Sequence, residues 1–377
     1  MTSIDIPVFR PSMAGMQEAV AEALDGGWLG MGPLTARFER DLAACLGVAD
    51  EHVVCTGTGT AALHTALVAA GVRPGDDVVV PAINFAADAQ AVLACGASVV
   101  LCDVCDDDLN LDLTACKRLL GPRTRAILPL HYAGRPMDHA ALSDFGAAHD
   151  LRIVEDATHA LGSRHGDGIP VGGRGDLICF SFDPVKIITS LDGGAVVASS
   201  ARDADLARRF RDLGITRDSH SRHAAGTPWS YDVVGQGFRY HLNSVNAAVG
   251  ISQLRQLDYF AAERQHICHH YVRRLGQLQP VRLVGEDFTG IAPFIFSIRV
   301  PAAVRDAVRA ALGAAGVATG LHFRCLHELS AFSNARCGPL PVAEAAAAEL
   351  ITLPLFVGMT GEEVDRVCDV ITACLAG

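Results

Sequence analysis

EHVVCTGTGTAALHTALVAAGV, residues 51–72, places a strand-like run before a glycine-rich turn and a helix-like run after it. The same alternation continues to about residue 200. DDVVVP reads as a strand after the turn RPGD, and FAADAQAVLACG as a helix ended by Gly96. SVVLCDV, RAILPLHY, LRIVEDA, LICFSFD and GGAVVAS read as further strands, with DLTACKRLLG and MDHAALSDFGAAHD as helices between them. Strands alternating with helices build a mostly parallel sheet with both faces covered. Such sheets collect ligands at the carboxyl ends of their strands.

Beyond residue 200 the pattern turns helical around a glycine-rich, aromatic loop, GTPWSYDVVGQGFRYHL. NAAVGISQLRQLDYFAAERQHICHHYVRRLGQL reads as one helical stretch long enough to link two domains. The strand PFIFSIRV and the helices AAVRDAVRAALGAAG and TGEEVDRVCDVITACL come after it, which reads as a smaller α+β domain.

Half of the 377 residues are hydrophobic, 19% are charged, and the formal net charge is −11. That balance argues against a nucleic-acid or anionic-membrane partner, while leaving room for a local basic pocket. The apolar stretch Val78–Cys102 is interrupted by Pro81, Asn84, Asp88 and Gln90, so it is too polar to cross a bilayer. MTSIDIPVFRPSM has no basic region followed by an apolar one, and the expected location is the cytoplasm. The 12 cysteines are scattered, and the single CxxC, Cys102 to Cys105, lacks the second pair of a structural zinc site. HICHH, residues 266–270, could bind metal but lies in a surface-rich helical pattern; no metal is expected.

Three places carry chemistry. In TGTGTAAL, small residues let backbone N–H groups approach an anion at a helix N-terminus, which suits one phosphate. A plain strand-to-helix turn would look the same. In LRIVEDATHA, Glu155 and Asp156 follow a strand, and a carboxylate there can hold a proton on a ring nitrogen or simply cap the next turn. His159 lies three residues on.

The third place is FSFDPVKIITSLDGG, residues 180–194. Lysine and arginine total 31, yet the only lysines are Lys117 and Lys186. A desolvated lysine can act as nucleophile or base, whereas arginine stays protonated and forms no imine. A lysine snorkelling from a strand end is the alternative, and it fits Lys117 better, beside Arg118. A phosphate turn, a strand-end aspartate and a strand-end lysine together match the needs of pyridoxal 5'-phosphate (PLP). Phe85, after another strand, could stack on its ring.

Taken together, GMGPLTARFERDLAACLG, LPLHYAGRPMD, IVEDATHALGS, FSFDPVKIITSLDGGAVV, YDVVGQGFRYHLNSVNAAVGISQL and ITLPLF resemble the DegT/DnrJ/EryC1/StrS sugar aminotransferases. The resemblance covers nearly the whole chain. It implies the α/β architecture of fold type I PLP-dependent transferases. A large domain with an N-terminal arm and a mostly parallel, seven-stranded-type sheet would span residues 1–255, and a smaller α+β domain residues 256–377. It also implies a homodimer with shared active sites.

The resemblance assigns the imine to Lys186, the pyridinium contact to Asp156, phosphate binding to Gly59, Thr60 and Ser181, and ring stacking to Phe85. His322 in LHFRCLH and Tyr132 in LPLHYAGRPMD would line the substrate pocket. Four departures stand out. His159 replaces the usual glutamine beside the cofactor. LDGG, Leu191 to Gly194, replaces GEGG. GFRYHL replaces GYNYRM, so Arg239 takes the place of an asparagine that reaches phosphate across the dimer; it could contact phosphate or substrate. Cys325 replaces a proline before LH. Relatives with histidine in place of the lysine dehydrate sugars, so Lys186 points to amino transfer. The implied reaction converts a nucleotide-linked keto sugar to an amino sugar, with glutamate as the amino acid donor; a keto-cyclitol or other sugar chemistry on this fold is the alternative.

Overall fold

The computed structural model describes residues 4–376. Among these described residues, eleven strands form two sheets: β1 (Val53–Thr56), β2 (Asp77–Pro81), β3 (Ser98–Cys102), β4 (Thr124–Ile127), β5 (Arg152–Asp156), β6 (Leu177–Ser181), β7 (Gly194–Ala198), β8 (Arg282–Leu283), β9 (Phe296–Arg299), β10 (Arg336–Cys337) and β11 (Leu350–Leu353). The large sheet has the order β1-β7-β6-β5-β4-β2-β3-β10. Only β7 runs against the others, because it pairs antiparallel with both β1 and β6 while the remaining pairs are parallel. Seven strands thus come from the alternating region, and the two-residue β10 is added at the edge from the C-terminal part of the chain.

The strands of this sheet are nearly continuous runs of buried apolar residues, as a sheet covered by helices on both faces requires. Their common direction brings Thr56, Pro81, Asp156 and Ser181 to one edge. The helix Gly59–Ala69 starts at that edge and packs against β6 and β7. Thr58 caps it, accepting from Ala61 N–H at 2.9 Å.

The second sheet, β11-β9-β8, is antiparallel. Its strands, with the helices Leu257–Leu275, Ala302–Ala314 and Gly361–Ala376, enclose a separate apolar cluster that includes Tyr271, Phe296, Ile298 and Ile351. Ile6 belongs to this cluster and bridges to Val317, so the N-terminal segment reaches across to it.

The helical stretch after Asn243 differs from its expected form. It divides into Ser244–Leu254 and Leu257–Leu275, with Gln256 at φ −105° and ψ 3° between them. No proline or glycine marks the break. The Gln256 amide instead bonds the carbonyls of Ser252 and Ala14, so a tertiary contact with the N-terminal segment accompanies the bend.

Candidate active site

A cavity of about 520 Å³ opens at the carboxyl edge of the large sheet. Several structural elements arrive there, and each contributes residues to the wall. The turn after β1 delivers Thr58, Gly59 and Thr60. Because Thr58 caps the helix, the N–H groups of Gly59 and Thr60 have no intrahelical partner and are suited to an anion. A Cβ on Gly59 would come within 2.7 Å of Ser181 Cβ, so only glycine leaves the gap between this turn and the end of β6 open.

Strand β5 delivers Asp156, 4% exposed, whose Oδ1 accepts from Thr158 N–H at 2.8 Å. The preceding residue, Glu155, points to the opposite face of the sheet, where its Oε2 lies 3.0 Å from His131 Nε2. The short turn after β5 brings His159 to the cavity wall, its ring 4.3 Å from that of Phe294.

Lys186 reaches the cavity from the loop between β6 and β7. Its Nζ lies 4.3 Å from the centroid of the Phe294 ring. Burial lowers the ammonium pKa to about 8, against the opposing pull of Asp156, Asp183 and Asp88. At pH 7.5 roughly a quarter of such amines are neutral, against about one in a thousand for an unperturbed lysine. The same positive charge, after burial, helps depress the neighbouring imidazoles. His322 falls to about 4, and His159 lies well below the ordinary histidine value, so both are neutral rings at neutral pH.

A model of the DegT/DnrJ/EryC1/StrS aminotransferase family matches residues 13–372. The chain belongs to this family. Among solved structures, the aminotransferase TlmJ from Streptoalloteichus hindustanus is 36% identical at a TM-score of 0.91, covering 98% of this chain and 99% of that one. DesV from S. venezuelae, solved with a ketimine intermediate, is 31% identical at a TM-score of 0.86, covering 96% and 94%. Spr1654 from Streptococcus pneumoniae, in its PLP form, is 25% identical at a TM-score of 0.88, covering 98% of each chain. The chain is therefore a PLP-dependent enzyme of the sugar aminotransferase class, with the fold type I architecture.

The cavity of this aminotransferase fits its cofactor in chemical character. The glycine-lined helix start suits a phosphate, the buried carboxylate of Asp156 suits a protonated ring nitrogen, and the partly neutral amine of Lys186 suits an aldehyde. Gly59, Thr60, Phe85, Asp156, His159, Ser181, Lys186 and His322 all line this one cavity. Phe85 caps the helix Ala86–Ala94 and is 61% exposed, an open ring at the cavity mouth.

Two expected residues lie elsewhere. Tyr132 is behind the cavity wall: its ring is fully buried, and its hydroxyl bonds the His322 carbonyl and Ser297 Oγ. It therefore supports the His322 segment instead of meeting a substrate directly. Arg239 is exposed and outside this chain's own cavity, on a segment bridged to Asp212. The structure adds Asn84, Asp88, Thr158, Asp183, Phe294 and Phe323 to the wall. Asn84 and Asp88 had a visible signal, since they are polar interruptions of an apolar run; Phe294 and Phe323 had none. Among the described residues no helix is long and apolar enough to cross a membrane.

Proposed function

We propose that this aminotransferase converts a nucleotide-linked keto sugar to the amino sugar, taking its amino group from glutamate. Membership of a sugar aminotransferase family supports the sugar, and the exposed Phe85 at the cavity leaves room for an attached nucleotide. The observation that carries the reading is the juxtaposition, in one cavity, of Lys186 and Asp156 with the N-terminus of the helix Gly59–Ala69.

In this reading Gly59 and Thr60 N–H groups and the Ser181 hydroxyl hold the cofactor phosphate. Asp156 holds the ring nitrogen in its protonated form, and Phe85 and His159 lie against the ring. PLP, when bound, supplies an electron sink for the electrons of a broken α C–H bond. Lys186 would anchor the cofactor through its Nζ, and its free amine would carry a proton to and from the reacting carbon. Its pKa of about 8 suits both duties, since a base works best near the ambient pH. The apolar rings of Phe294 and Phe323 exclude water around that amine.

The reading also includes a homodimer in the cytoplasm, with a cofactor-binding domain over residues 1–255 and a smaller domain over 256–377. Arg239, exposed and away from its own cavity, would reach the cofactor phosphate or the substrate in the partner's site. His322, whose Nδ1 is 3.0 Å from Thr352 Oγ1, would face the sugar.

The test is a spectral titration of the PLP-loaded protein with glutamate, followed by reoxidation with a panel of nucleotide-linked keto sugars. Bleaching by glutamate and recovery with at least one sugar are expected. Lys186→Arg should keep the fold and lose the donor half-reaction by several orders of magnitude. Wild-type turnover in that variant would sink the assignment.

A further inference from the structure

Asp88 is a buried carboxyl group for which the mechanism above has no task. It lies in the first turn of the helix Ala86–Ala94, is 1% exposed, and belongs to the cavity wall. Its Oδ2 accepts from Asn84 Nδ2 at 2.7 Å. The Asn84 Oδ1 is taken by the Phe85 N–H, also at 2.7 Å, so the amide must present its NH₂ to Asp88. The other oxygen, Asp88 Oδ1, is buried with no donor among the described residues. The group that does lie within hydrogen-bonding reach is the Asp156 carboxyl.

Two ionised carboxylates do not share such a place at low dielectric; one proton between them removes the repulsion and supplies the missing hydrogen bond. The surroundings decide which partner holds it. Asp156 Oδ1 already accepts the Thr158 N–H at 2.8 Å, whereas Asp88 Oδ1 has no donor, so a proton on Asp88 completes the pair. Burial and the adjacent Asp156 push Asp88 well above the ordinary carboxylate range. The groups facing Asp88 are Asn84 from its own segment, Asp156 at the end of β5, Cys179 in β6 and Lys186 from the loop beyond β6.

We propose that Asp88 and Asp156 form a proton-sharing carboxyl pair, in which Asp88 carries the proton on Oδ1 and donates it in a hydrogen bond to Asp156. Asp88 is then a positioning residue. It aims the Asp156 carboxyl and leaves the pair with a single negative charge to present to a protonated heteroaromatic nitrogen. The inference rests on the proposed pairing of Asp156 with the cofactor ring nitrogen.

The pair is tested by three measurements on the PLP-loaded protein. Infrared difference spectra between wild type and Asp88→Asn at neutral pH should show one protonated-carboxyl stretch in the wild type; its absence overturns the proton assignment. Asp88→Leu, similar in shape but without a donor, should weaken PLP binding about tenfold or more, the scale of one hydrogen bond to a charged group. It should also raise the pH midpoint of the bound cofactor's absorbance. Asp88→Asn can accept from Asn84 and donate to Asp156, so it should restore both properties. If asparagine behaves like leucine, or leucine like wild type, the pair is refuted. Asp156→Ala is the control: unchanged PLP affinity and midpoint there would defeat the ring-nitrogen reading, while the infrared band would still report on Asp88.

Discussion

Glu155 and Asp156 are neighbours at the end of β5, and strand alternation sends them to opposite faces of the sheet. On one face Glu155 meets His131 Nε2, while His131 Nδ1 accepts the Met137 N–H at 3.2 Å. With Nδ1 accepting, the ring proton lies on Nε2, which is within ion-pair distance of Glu155 but outside hydrogen-bond geometry. Gly175, at φ 129°, is needed beside it, because a Cβ there would collide with Glu155 Oε1. On the other face Asp156, Asp88 and Lys186 converge on a cavity. The first group pairs an acid with a buried imidazole beside a smaller cavity, and the second gathers an amine and two acids around the larger one. The difference is the amine: only the second cluster sets a buried lysine beside its acids, in the cavity that also holds the helix start at Gly59.

The largest effect that separates them is the pH dependence of the cofactor-free protein's stability. Lys186 has a folded pKa of about 8 against an ordinary lysine value of 10.5. The unfolded chain therefore binds more protons between those values, and stability rises with pH across that window. The contribution is fully present above about pH 10.5, is lost as pH falls to about 8, and amounts to about 3 kcal/mol. Asp88 contributes with the opposite sign, since its raised pKa favours the folded state most at low pH. The difference in unfolding free energy between wild type and Lys186→Met, measured by denaturant titration from pH 7 to 11, isolates the lysine. A flat difference would contradict the buried amine. The next effect concerns the first cluster. Glu155→Ala leaves the His131 N–H buried without its acid partner, and should cost about 2 kcal/mol. Glu155→Gln should recover most of this loss. PLP affinity, measured by fluorescence quenching, should stay at the wild-type value in both, and a fall would show that the two faces are coupled.

The same contrast explains what was legible in the amino-acid sequence. Lys186, Asp156 and Gly59 were legible because each stands at the end of an apolar strand or a few residues past it, where the chain turns into a loop or a helix. Short-range pattern specifies those junctions. Local pattern alone leaves Glu155 and Asp156 both open, since which one faces the cavity depends on the register of β5 between β4 and β6; only the family resemblance selects Asp156. Tyr132 lies one layer behind the wall for a related reason. Its segment reaches the site through the carbonyl of His322, 190 residues away, a contact that no local pattern encodes. Phe294 and Phe323 likewise arrive from the C-terminal part of the chain. The break at Gln256 comes with a contact to Ala14, again a distant partner.

The smallest effect lies in the loop beyond Lys186. Leu191 has φ 64°, in the left-handed region, where its Cβ crowds the following carbonyl at a cost of about 1–2 kcal/mol. Its N–H donates to Thr189 Oγ1 at 3.0 Å, and the side chain is 40% exposed, so little apolar burial offsets the strain. Glycine at this position would remove the steric cost but add about 0.5–1 kcal/mol of unfolded-chain entropy. Leu191→Gly should therefore stabilise the protein by about 0.5–1 kcal/mol, read as a rise in thermal midpoint. Leu191→Ala keeps a Cβ and should show no such gain, which separates backbone strain from loss of the side chain. Because the next residue, Asp192, lines the cavity, the two variants also report whether that strain holds the cavity wall in place. If it does, Leu191→Gly should stabilise the fold while weakening PLP binding, and Leu191→Ala should do neither.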